Sequence, residues 1–206
     1  MKYDLHIHSK YSYDSSLNPE KIIRYSKKKG LNGIAITDHG TIKGGIETSK
    51  LSKNDEFKII VGAEIKTEYG DVIGLFLNEE IRSTKFDEVL DEIKMQGGLS
   101  ILAHPYRQYK FPEKIITGVD MIEGFNARSK TAHNKKAYEL GINFNKSMTA
   151  GSDAHSYFEI GRGITEVENV DDLLRQKTNV YGKETNYYLS HGLSVINEQF
   201  RKLVHQ

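Results

Sequence analysis

Gly33-Ile34-Ala35-Ile36-Thr37-Asp38-His39-Gly40 opens as a nearly unbroken apolar run and ends in an acid, an imidazole and a glycine. A short Ile-rich run of this kind reads as a strand buried on both faces, as in a parallel sheet. Its polar end then falls where the strand meets the following loop. The same layout recurs along the chain. Residues 58–65 contain Val61-Gly62-Ala63-Glu64, residues 99–103 run into His104-Pro105, and residues 147–150 run into Gly151-Ser152-Asp153-Ala154-His155. Near the amino end, Asp4-Leu5-His6-Ile7-His8-Ser9 places two histidines two residues apart, on one face of an extended segment. Residues 71–77 and 119–122 are further apolar runs of strand length.

Helical patterns lie between these runs. The first has Asn18 as N-cap and Pro19 at the first helical position, and closes near Gly30. Another begins at Thr84 with Asp87 as its capping-box partner, carries Phe86, Val89, Leu90 and Ile93 on one face, and stops at Gly97-Gly98. Weaker patterns cover 42–52, 130–140 closing at Gly141, 171–175 and 193–204. Alternation of strand and helix leaves two architectures, a closed barrel or an open doubly wound sheet. No G-x-G-x-x-G or G-x-x-x-x-G-K-[ST] motif is present, so the phosphate loops typical of open sheets are missing. Polar residues at the carboxyl ends of several strands favour the barrel, where catalytic groups gather at that end. One α/β domain over residues 1–206 is expected.

Composition narrows the chemistry. The 206 residues carry 29 basic and 28 acidic side chains for a net charge of +1, which offers no broad field for long nucleic acid or a membrane surface. Cysteine is absent, which removes disulfides, thiolate metal sites and cysteine nucleophiles. Any metal must therefore use imidazole or carboxylate. No signal-like or membrane-spanning stretch is evident, and a cytoplasmic location is expected.

Five of the eight histidines fall at strand ends, whereas His133, His191 and His205 fall in predicted helix or tail and are read as surface residues. Any one polar position has a bland account, such as a histidine bonded to a carbonyl or an aspartate capping a helix. Glu64 is harder to explain that way, because a charge inside an apolar run is costly unless it is paired. Repetition at five strand ends points to metal ligands.

In order, His6-x-His8, Thr37-Asp38-His39, Gly62-Ala63-Glu64, Ala103-His104-Pro105 and Gly151-Ser152-Asp153-Ala154-His155 resemble the motifs of the PHP (polymerase and histidinol phosphatase) family. The resemblance spans almost the whole chain and implies a distorted seven-stranded, TIM-like (β/α) barrel with up to three metals at its open end. It implies that His6, His8, Glu64 and Asp153 hold one metal, and that Glu64 bridges to a second that also takes His104. Asp14, His39 and His155 would hold the third. Asp14 lies in Tyr11-Ser12-Tyr13-Asp14, where some relatives have histidine. Many relatives also supply a histidine from the strand after Glu64, where this chain offers Asp71. Asp38 is placed either to orient His39 or to cap the following helix.

Such ligands suit zinc, manganese or iron. Adjacent divalent cations activate water and neutralise phosphoryl oxygens, so phosphate ester hydrolysis by metal-held hydroxide is the expected reaction, with two to three metals. Asp153, His39 and His155 are the expected catalytic residues, and Arg107, Arg128 and Asn126 the expected substrate contacts. The expected substrate is a small phosphorylated molecule or a nucleic-acid 5′ end, processed as by a nucleotide phosphatase or 5′-3′ exonuclease. No membrane or stable protein partner is expected. Histidinol phosphate is an alternative substrate. A metal-dependent amidohydrolase would use a similar barrel but normally relies on a carboxylated lysine or fewer metals. A non-catalytic scaffold would be marked by missing ligands, and here the set is nearly complete.

Overall fold

The computed structural model describes residues 1–52, 57–107 and 111–186, with Gly192 and Val195 beyond them. The expected helix over 193–204 and the residues His191 and His205 lie outside the described residues, Val195 apart. The elements in chain order are β1 (Lys2–Ile7), α1 (Pro19–Lys28), β2 (Gly33–His39), α2 (Lys43–Leu51), β3 (Lys58–Thr67), β4 (Gly70–Leu75), α3 (Phe86–Met95), β5 (Leu99–Leu102), a 3-10 turn (Glu113–Thr117), β6 (Met121–Asn126), α4 (Thr131–Asn143), β7 (Met148–Gly151), β8 (Gly163–Glu166), α5 (Asp171–Leu174) and β9 (Asn179–Gly182). Among the described residues the strands form one sheet in the order β7-β6-β5-β4-β3-β2-β1-β8-β9.

This is the expected barrel-like α/β architecture, with nine strands in place of seven. The extra pair is the β8–β9 ribbon, whose β8 runs antiparallel to β1. β4 is also reversed against both its neighbours. Its reversal follows from the chain, because only Glu68 and Tyr69 separate β3 from β4. A parallel crossover needs a dozen or more residues, so this link can make only a hairpin. Asp71 consequently starts its strand at the end of the barrel where Glu64 finishes.

The sheet closes where the segment after β7 returns to β1. Ile7 bridges Ala154 in parallel, the Asp153 N–H donates to the His6 carbonyl at 2.7 Å, and the His8 N–H donates to the Ala154 carbonyl at 3.0 Å. The Thr165 hydroxyl on β8 ties to the Ala150 backbone at 2.8 and 2.9 Å. Glycine makes this approach possible: a Cβ on Gly163 would sit 2.1 Å from the Gly151 carbonyl oxygen, and one on Gly151 would sit 2.2 Å from the His6 Cβ.

Tyr3, Leu5, Ala35, Ile60, Ile73, Leu75, Leu99, Ile101 and Met121 come from strands around the barrel and form one buried cluster, its inner floor. A second cluster packs Phe86, Val89 and Ile93 of α3 against the outer faces of β3 to β6, as the helical stripe predicts. The Asn18 side chain caps α1 through the Glu20 and Lys21 N–H groups at 3.0 and 3.3 Å. Two expected helix ends differ. The capping box at Thr84 does not form; α3 starts after Lys85, and the Phe86 N–H is instead taken by Glu68 at 2.9 Å. α4 runs through Gly141 to Asn143; the glycine serves packing in place of termination, since a Cβ there would lie 2.6 Å from the Met148 Sδ.

Candidate metal centre

Side chains at the ends of seven strands converge at the open end of the barrel. Two irregularities in the sheet aim them there. The β1–β2 register shifts between Asp4 and Ile7. Tyr3 and Leu5 lie in the inner cluster, whereas after the shift His6 and His8 enter the site and Ile7 packs outward with Ile22 of α1. A second shift, between Glu123 and Phe125, lets both Glu123 and Asn126 of β6 reach the site. Bulges re-aim side chains in this way beside active sites. His104 and Asp153 both have positive φ, 26° and 55°, so two site residues hold a backbone conformation that costs about 1–3 kcal/mol each.

The distances define overlapping donor sets. His6 Nε2 and His8 Nε2 are 3.1 Å apart and lie 3.3 and 3.2 Å from Glu64 Oε2, while Asp153 Oδ1 is 3.3 Å from His8 Nε2. The other Glu64 oxygen is 2.8 Å from His104 Nε2, which lies 4.0 Å from Asp71 Oδ2. Asp14 Oδ2 sits 2.8 Å from His155 Nε2 and 3.4 Å from His39 Nε2. All nine sequence-predicted ligand positions are therefore brought together, Asp71 included, in sets whose donor atoms lie within 4.8 Å of one another.

Behind these groups stands a layer that orients them. Glu123 is 1% exposed; it bonds His6 Nδ1 at 2.9 Å, accepts the His104 N–H at 2.9 Å and accepts from Asn126 Nδ2 at 3.0 Å. The Ser12 hydroxyl bonds His8 Nδ1 at 3.1 Å and accepts the His39 N–H at 3.2 Å. Sequence reading assigned neither residue a role. Glu123 carried the same signal as Glu64, an acid in an apolar strand. Asp38 neither orients His39 nor caps α2. It accepts from the Ser9 N–H and hydroxyl at 2.5 and 2.7 Å and so pins the loop after β1.

Arg107 and Arg128 are not idle surface cations. Arg107 donates to Asp153 Oδ2 at 2.6 Å, to Asn126 Oδ1 and to Ser129 Oγ at 3.2 Å. Arg128 is 4% exposed and reaches His155 Nδ1, with Glu159 facing its Nε at 3.6 Å. His133, read as a surface residue, is half-buried on α4, and burial together with Lys130, Arg107 and Lys136 lowers its pKa.

Burial and the density of charge together set the electrostatics of the site. Burial opposes charge on His6, but Glu123, Asp153 and Glu64 hold its pKa well above the ordinary value. Burial also opposes charge on His8, which bonds to Asp153 and Glu64 push up to about 9. Burial alone would raise Glu64 and Asp153; His39 and His6 around the first, and Arg107 and His6 around the second, bring both well below the carboxylate range. Burial and the charge of Glu64 raise Asp71. Burial, with His8 and Arg128, lowers His155 to about 4. His6 and His8 thus serve as counter-ions to a dense group of buried carboxylates. Both His6 and His8 have Nδ1 engaged and Nε2 turned inward, and Asp14 Oδ1 is buried without a hydrogen-bond partner. Such a donor set fits divalent cations.

A barrel of this form, with histidine and carboxylate clusters at its open end, carries the donor set of a divalent-metal centre. The chain matches the PHP domain family over residues 4–190, and it belongs to that family. An uncharacterized protein of Methanocaldococcus jannaschii is 48% identical over 141 residues, which cover 62% of this chain and 82% of that one. The structure of a protein from Bifidobacterium adolescentis, provisionally described as a metal-dependent phosphoesterase, superimposes with a TM-score of 0.68 at 16% identity, covering 86% of this chain and 96% of the other. An amidohydrolase of Chromobacterium violaceum, solved with sulfate and no metal, gives 0.67 at 15% identity, covering 87% and 97%. Among the described residues no helix is long and apolar enough to cross a membrane.

Proposed function

We propose that the chain hydrolyses phosphate esters at this site with the help of two to three divalent cations. The observation that carries the reading is the pairing of overlapping donor sets with two arginines at their edge. His6, His8, Glu64 and Asp153 would hold one cation, Glu64, His104 and Asp71 a second, and Asp14, His39 and His155 a third. Zinc, manganese and iron all suit these ligands. Bound there, the cations lower the pKa of water and offset charge on phosphoryl oxygens.

The chain's own groups do the rest. Arg107, with its fork already set by Asn126 and Ser129, holds phosphoryl oxygens in a fixed orientation. Arg128, buried against His155, adds a second cation at the same edge. His39 is the most open of the clustered imidazoles, with its side chain 23% exposed, and it and His155 are the groups that would assist departure of the leaving oxygen. No serine, threonine or cysteine nucleophile is needed.

The test is a panel of phosphate monoesters, histidinol phosphate, 5′-phosphorylated oligonucleotides, amides and lactones, run on metal-loaded protein. Turnover of phosphate esters, abolished in a folded Asp153→Asn variant, is the expected result. Activity confined to amides or lactones, or phosphate turnover that survives Asp153→Asn, would overturn the proposal.

A further inference from the structure

In His6, His8 and His155 the partner at Nδ1 decides what Nε2 can do. On His6 that partner is the Glu123 carboxylate at 2.9 Å, and on His8 it is the Ser12 hydroxyl at 3.1 Å. Both can accept a hydrogen bond from Nδ1–H, which leaves Nε2 with the lone pair that a metal needs. His155 is built differently. Its Nδ1 meets the Arg128 guanidinium, which carries donors and no acceptor. With Nδ1 accepting, the ring proton sits on Nε2 and points at Asp14 Oδ2, 2.8 Å away. In that form the nitrogen facing the third cluster has no lone pair to give.

The partner for the other tautomer is already in place. The Asp153 carbonyl oxygen lies 2.9 Å from the same Nδ1 and can accept its proton once Arg128 has moved off. Arg128 is 4% exposed and is held from behind by Glu159, which faces its Nε at 3.6 Å and accepts the His155 N–H at 3.0 Å. Its Nη1 is thereby turned toward the cluster, 3.9 Å from Asp153 Oδ1. Charge points the same way. The first donor set contains two carboxylates, Glu64 and Asp153, and the second also contains two, Glu64 and Asp71. The third contains Asp14 alone, with a guanidinium beside it.

Resting on the cation-binding part of the function proposed above, we propose that Arg128 holds His155 closed to the third cation, so that this ion and a phosphate oxyanion bind together. Entry of the ion requires the His155 proton to pass from Nε2 to Nδ1 and Arg128 to leave the ring. Arg128 also lines the cleft, so a phosphate arriving there gives the displaced guanidinium a new acceptor. Such coupling is reciprocal, and between linked sites it typically amounts to about 5- to 150-fold in affinity.

Two measurements test this without turnover. Side-chain 15N NMR of chelator-stripped wild type should show His155 protonated on Nε2. Titration with Mn2+, the free ion counted by electron paramagnetic resonance, should give two tight equivalents and a third that is about 5- to 150-fold weaker until inorganic phosphate is added. Arg128→Met should bind the third ion tightly without phosphate. The double variant Arg128→Met/Glu159→Gln, which leaves no unpaired buried carboxylate, should do the same and replaces the single variant if that one does not fold. A wild-type His155 protonated on Nδ1, three equal sites in the wild type, or a third site that stays weak in the folded variant would each overturn the proposal. Uptake of no ion by any of these proteins would overturn it together with the functional reading, a result distinct from the other three.

Discussion

Glu123 points no free oxygen into the cleft, yet the His6 ring, the His104 backbone and the Asn126 amide all bond to it. It fixes which His6 nitrogen faces inward and adds charge that strengthens that nitrogen as a donor. Replacing Glu123 by Gln keeps the shape and removes the charge. Metal affinity should fall about 10- to 100-fold while the circular dichroism spectrum stays native, as measured by competition with a chelating dye. Arg107 is a different case, because its guanidinium spans Asp153, Asn126 and Ser129 at once. Arg107→Ala should raise KM for a phosphorylated substrate, and Arg107→Lys should fail to rescue it, since a point charge cannot bridge the same three groups. Steady-state kinetics on both variants decides this, and an unchanged KM would remove Arg107 from the substrate site.

Elements set these residues in place through irregularities as much as through regular strand. The registers of β1 and β6 each slip once, beside His6 and beside Glu123. Strict alternation would send a histidine or a glutamate outward. Gly151 and Gly163 act at the seam, where two backbones touch. Gly163→Ala should destabilise the fold by about 1–3 kcal/mol or more, read as a lower urea midpoint, because the new methyl meets backbone rather than a movable side chain. Sequence made much of this legible. Asn18-Pro19 marked the start of α1, the stripe from Phe86 to Ile93 marked the inner face of α3, and apolar runs ending in His or Asp marked β2, β5 and β7. The reversal of β4 was not legible by periodicity, which carries no direction. The bulges and the Gly151–Gly163 contact are tertiary facts with no local signal. Glu123 escaped because its partners lie on β1 and after β5, although its cost inside an apolar strand was as plain as that of Glu64.

At the scale of the whole molecule, the donor clusters join the strands into one ring, and a ligand held there binds only the closed barrel. Stability should therefore depend on metal. Saturation at 100 times Kd adds about 2.7 kcal/mol, or roughly 5–10 °C in Tm for a chain of this size. Scanning calorimetry of chelator-stripped and reloaded protein checks this, and an unchanged Tm would mean that no ion is held by these donors. The closing contact between β1 and the segment after β7 also bears on how the chain is made. Ser152 donates its hydroxyl to the His6 carbonyl across 146 residues of sequence. At synthesis rates of about 5–20 residues per second, the nascent amino-terminal strand waits on the order of ten to thirty seconds for that partner to leave the ribosome. Through that interval β1 presents an unpaired edge, the kind of surface that recruits stray strands. β1, translated before the other described strands, is thus among the last of them to be completed, and His6 and His8 meet Asp153 only after residue 153 has emerged.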